Sequence, residues 1–134
     1  MSTTSSVSPA PRGRGSNVLS WTLRVLAAAA FLAAGGAKLA GVPMMVEIFQ
    51  QIGVGQWFRV VTGAVEVIGA VAILVPASAA FGGLLLAVTM FFAALTHLFV
   101  IGGSPLPAII LLLITATVSW LHRSSLSAAF RRAG

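Results

Sequence analysis

Four long apolar stretches, set apart by mostly short connectors, leave this chain few folds to choose from: residues 18–40, 58–75, 79–101 and 106–121. As helices rising about 1.5 Å per residue, the first three reach or approach the roughly 30 Å of hydrocarbon in a bilayer, and the fourth is somewhat shorter. Only 7% of the 134 residues are charged, against about 25% in soluble domains. That is too little polar side chain to coat a water-facing surface, so the outside of the folded chain has to face lipid. The expected fold class is all-α, an integral membrane four-helix bundle.

Each boundary has a local cause. Residues 1–17 hold Ser, Thr, Pro, Gly and two arginines with almost no apolar content, which predicts a disordered tail. The first helix is expected from Val18 to Ala40, with Trp21 at the headgroups and Arg24 snorkelling to them from one turn inside. An Arg-flanked, Ala-rich run also describes a cleavable signal, but an uncleaved helix fits this one better. Residues 41–57 carry Met45, Ile48, Phe49 and Ile52 at i, i+3, i+4 and i+7, with Glu47, Gln50 and Gln51 on the other side. Between Pro43 and Gly53 this predicts a short amphipathic helix in the membrane interface, or failing that an extramembrane loop. Phe58 to Val75, anchored by Trp57 and Arg59, is the second span. Pro76 ends it, and only Ala77 and Ser78 follow before the third span, Ala79 to Ile101, so these two form an antiparallel hairpin. Gly102, Gly103, Ser104 and Pro105 make the next turn. Leu106 to Leu121 is the fourth span, and residues 123–134 are a basic tail.

Lys and Arg near span ends stay on the cytoplasmic side. Arg12, Arg14, Arg24, Arg123, Arg131 and Arg132 all flank one side of an even number of spans, which predicts a multi-pass protein of the cell membrane with both termini cytoplasmic. The 41–57 segment is then extracytoplasmic. A net charge of +6 does not imply nucleic acid, because the basic residues are scattered, with no basic stripe and no interleaved aromatics.

Ionisable side chains inside the spans carry the functional signal, since a charge near the bilayer centre costs about 2.5–3.5 kcal/mol even on the mildest scale. There are three: Lys38, Glu66 and His97. Small residues precede each on the same helix face: Ala34 and Gly35, Thr62 and Gly63, Ala93 and Ala94. Small faces let helices approach closely, so the three side chains are expected to meet inside the bundle; the plainer alternative for His97 is a packing histidine bonded to Glu66. The cluster lies in the extracytoplasmic half, with Glu47, Gln50, Gln51 and Trp57 as candidates for an interfacial lid. Gly35, Gly36, Gly82 and Gly83 are read as helix-packing positions. No metal is expected, because one histidine and one carboxylate without cysteine form too thin a ligand set. The absence of cysteine excludes disulfide, thiolate and iron–sulfur chemistry by this chain alone.

The segments F-L-A-A-G-G-A-K-L from Phe31, I-G-V-G-Q-W-F-R over 52–59, T-G-A-V-E over 62–66 followed later by G-A, and A-L-T-H over 94–97 resemble the DoxX-like membrane proteins over about residues 20–122. The resemblance implies a four-helix membrane fold with Lys38, Glu66 and His97 at recurrent polar positions. Some members of that superfamily are subunits of a thiosulfate:quinone oxidoreductase or partners in membrane redox assemblies, and more distant ones are assembly chaperones. The expectation is a small membrane subunit docking a quinone or a redox enzyme at the polar cluster, with no complete active site of its own. The alternative is a structural or chaperone-like protein that pairs with other membrane proteins, its cluster serving only to lock its helices. An open apolar pocket bordered by the three residues favours binding; a closed, fully bonded cluster favours packing.

Overall fold

The computed structural model describes residues 14–133, and every regular element among them is helical. In chain order these are α1 (Arg14–Ala40), α2 (Pro43–Ile52), α3 (Gln56–Leu74), α4 (Ala79–Thr96, continuing as a π-helical turn over His97–Ile101), α5 (Leu106–Leu121) and α6 (Arg123–Ala133). The tail expected over 1–17 lies outside the described residues up to residue 13. Its last residues are helical, because Gly15 and Ser16 are weak helix formers but not breakers and an established helix propagates through them. The basic tail is helical too, as α6. Three helices are long and apolar enough to cross a membrane, Arg14–Ala40, Gln56–Leu74 and Ala79–Ile101; Leu106–Leu121 makes a fourth if it forms one broken span with Arg123–Ala133, bent by 59°.

The terminations follow from the sequence. Gly41 takes φ +70° after α1 and Gly53 φ +83° after α2, left-handed conformations that glycine adopts without strain. Pro43 sits in the first turn of α2, where its missing N–H costs nothing. At the end of α3, Pro76 cannot donate to Ala72 O. That carbonyl is met instead by Val75 N at 3.2 Å and by Ser78 Oγ at 2.9 Å.

The most extensive contacts are α1 with α3 and α4 with α5; α3 packs on α4, and α1 meets α5 over a smaller area, closing the ring. Missing side chains set how close the pairs come. A Cβ on Gly63 would lie 2.9 Å from Lys38 Cβ and 3.0 Å from Gly35 O; one on Gly82 would lie 2.7 Å from Ile73 N, and one on Gly83 2.8 Å from Thr115 O. Successive helical residues point about 100° apart. Gly82 and Gly83 can therefore both be contact positions, since α4 is held between α3 and α5. Gly36 cannot, because α1 meets α3 at Gly35; nothing lies within 4 Å of a Cβ at Gly36, which corrects its expected packing role.

Two arginines cap the antiparallel pair α1–α3 reciprocally. Arg59, near the start of α3, donates through Nη1 to Lys38 O at the end of α1 and through Nε to Gln56 Oε1 at 2.8 Å. Arg24, near the start of α1, donates through Nε to Ile73 O at 2.6 Å, at the end of α3. Each places a cation at the negative end of a helix dipole; Lys38 O also accepts Gly41 N at 3.3 Å, while Ile73 O is met by the guanidinium. Arg24 is therefore not a snorkelling residue. It is 2% exposed, and its guanidinium stacks 3.8 Å from the Trp21 ring centroid. Its face, Arg24, Ala27, Ala28, Phe31 and Gly35, is the buried stripe of α1.

Candidate functional site

The close approach of α1 and α3 at Gly35 and Gly63 has a direct consequence one turn along each helix. It places the Lys38 Nζ 3.2 Å from Glu66 Oε2, an ion pair whose side chains are 13% and 3% exposed. A carboxylate in a span needs a partner of this kind, and Glu66 has one. Glu66 is buried among Gly63, Gly69 and Ala70 on the inner face of α3.

The pair forms part of the wall of a cavity of about 500 Å³. Its other walls are mainly apolar: Phe31 on α1, Phe58 and Val65 on α3, Met90 and Ala93 on α4, and Ala108 and Leu111 on α5. The apolar face of α2 closes one side through Met45, Ile48, Phe49 and Ile52. Phe49 is buried and meets Phe58 edge to face, with centroids 5.8 Å apart and the planes at 62°. Gln56 Nε2 donates to Val46 O at 3.0 Å and ties the start of α3 to α2.

His97 lines the same cavity but does not bond to Glu66. Its Nδ1 lies 3.1 Å from Gly102 O. A carbonyl can only accept, so Nδ1 carries the proton, and in the neutral ring Nε2 is left as an acceptor. A His97–Glu66 hydrogen bond is not made; the ring is engaged instead by Gly102 (φ +73°), at the end of the π-helical turn over His97–Ile101. Turns of this kind recur at functional sites. Of the three polar residues, then, two pair directly and the third shares their cavity.

The lid candidates fall differently. Glu47, Gln50, Gln51 and Trp57 are exposed, and Trp57 Nε1 donates to Val54 O at 3.2 Å. An amphipathic helix that turns its apolar face to the cavity must turn these polar residues away, so Met45, Ile48, Phe49 and Ile52 cover the cavity in their place. The contact of Phe49 with the cavity and the capping role of Arg59 went unread in the sequence, as did the buried place of Arg24. For Arg24 a signal was there in the small residues Ala27 and Ala28, which follow it one turn on along the same helix face. Among the described residues, no three histidine or carboxylate side chains come together as a metal site.

Apolar helices of spanning length, with an ion pair turned inward between them, define a multi-pass helical membrane protein. More narrowly, the chain belongs to the DoxX-like family, whose sequence profile matches residues 22–122. No curated protein and no solved structure gives a significant match.

Proposed function

We propose that this protein is a membrane subunit of four spans that docks a quinone, or the quinone-bearing part of a redox partner, in the cavity bordered by Lys38, Glu66 and His97. The observation that carries the reading is a mainly apolar space of about 500 Å³ with an ion pair in its wall. It has the size and character of a small-ligand site. A quinone ring needs an apolar slot and a donor at its carbonyl. Lys38 supplies the donor, with protons to spare beyond its bond to Glu66. His97, its Nδ1 engaged, offers Nε2 as an acceptor for a hydroquinone hydroxyl. A cluster that served only to lock helices would have no use for the space.

In this reading both termini are cytoplasmic, α5 is the fourth span, and α2 lies in the extracytoplasmic interface. A reporter enzyme active only outside the cytoplasm, fused at residue 54, is then active, and fused at residue 77 is inactive. The reverse pattern overturns the orientation. The ligand is tested on purified protein with short-tailed benzo- and naphthoquinones. A ligand that favours the native state raises the melting temperature by mass action. Lys38→Ala and His97→Ala should each reduce that shift while the unliganded proteins stay folded. If no quinone shifts the melting temperature, or if the shift is indifferent to both substitutions, the structural or chaperone-like reading takes its place.

A further inference from the structure

The end of the molecule opposite α2 holds a second set of charges that the quinone reading does not use. After Leu121 the chain bends by 59° into α6, a helix of 11 residues with two faces. Arg123, Ser127 and Arg131 stand at i, i+4 and i+8 with Ser124 beside them, all exposed. Together with Leu121 they line a groove of about 340 Å³. On the adjoining face Leu126 is half-buried, and Phe130, one turn on and seven residues after Arg123, is 75% exposed.

Among the described residues no acidic side chain pairs with those cations. The chain's only two acidic side chains are Glu47 and Glu66, one on α2 and the other paired with Lys38. The same end also holds Arg24, whose buried Nη2 has no hydrogen-bond partner among the described residues. Two Arg–Trp stacks stand there: Arg24 on Trp21, and Arg123 on Trp120 at 4.3 Å from the ring centroid. Trp21 and Trp120 are 46% and 65% exposed, as expected of tryptophans at headgroup level. Ser20 Oγ and His122 Nε2, 2.9 Å apart, join α1 to the start of α6 at this level.

We propose that Arg123, Ser124, Ser127 and Arg131 bind the headgroup phosphate of an anionic phospholipid, with α6 lying along the membrane surface and Phe130 in its acyl boundary. The stack on Trp120 and the bond from Arg123 Nη1 to Trp120 O at 2.9 Å fix one edge of that guanidinium, leaving N–H groups for a phosphate oxygen. Arg131, two turns away, approaches the same groove, and the serine hydroxyls add neutral donors. A basic amphipathic helix directly after a span is the arrangement that anionic leaflets attract.

The test uses the full-length protein in zwitterionic detergent with added phosphatidylglycerol, phosphatidylcholine or inorganic phosphate. Phosphatidylglycerol should raise the melting temperature by about 3–5 °C. Phosphatidylcholine and inorganic phosphate should do so by less than a third of that, which separates a lipid headgroup from a free anion. The double variant Arg123→Gln/Arg131→Gln should melt close to the wild type without lipid, since both residues are exposed, and should lose at least half of the phosphatidylglycerol shift. Raising the salt should weaken the wild-type shift. Equal shifts with phosphatidylcholine or with phosphate, or a full shift in the double variant, overturn the proposal.

Discussion

Each end of the α1–α3 pair buries a basic side chain, and the two ends solve the problem differently. At one end Arg24 lies on the buried stripe of α1 with Ala27 and against Ile73 of α3, both at 0% exposure. It spends its charge on a backbone carbonyl and an indole face. At the other end Lys38 pairs with a carboxylate in the wall of a large cavity. A guanidinium bonded to a helix end and stacked on a ring is fixed by the backbone. An ammonium paired with a side chain beside open volume can exchange partners. The same residue class is therefore held by the backbone at one end and stands beside open volume at the other.

Packing at the Arg24 end is the first place to break that contrast. Gly82→Ala would put a methyl group 2.7 Å from Ile73 N, a backbone atom that cannot step aside. A loss near the top of the about 1–3 kcal/mol range for overpacking is expected from denaturant unfolding in detergent. Gly36→Ala meets nothing within 4 Å and should instead gain about 0.5–1 kcal/mol from better helix propensity. Equal effects at the two positions would mean that α3 and α4 do not pack as described.

At the Lys38 end, Glu66→Ala orphans the ammonium and should cost roughly 1–3 kcal/mol in the same measurement. The double variant Lys38→Met/Glu66→Leu removes both charges and should recover most of that loss, because a buried pair replaced by apolar groups is often neutral. Failure to recover would show that the pair is needed for more than its mutual neutralisation. The smallest loss is Arg24→Lys, which keeps the charge but gives up the planar stack and the Nε bond. A loss of about 1 kcal/mol is expected. No loss at all would mean that Arg24 is held by its charge alone and would weaken the contrast between the ends.

The apolar run lengths, the prolines and the left-handed glycines were enough for the sequence to determine the helical membrane class, the hairpin after Pro76 and the helix at 43–52. These are local properties, written in one stretch of chain at a time. The sequence also marked Lys38 and Glu66 as inward-facing, because small residues stand one turn before each. Tertiary structure alone decided which polar groups meet. Lys38 reaches Glu66 because Gly35 and Gly63 let two distant helices touch. His97 meets Gly102 O and not Glu66, a partner supplied by the π-helical turn over His97–Ile101, which apolar periodicity does not register. Arg24 finds Ile73 O only because Pro76 frees carbonyls at the end of a neighbouring helix. The polar face of α2, read as a lid, turned outward once its apolar face had a cavity to cover. Whether a charge in a span snorkels, pairs or caps depends on what the adjacent helix offers at the same depth, and that is a property of the packing.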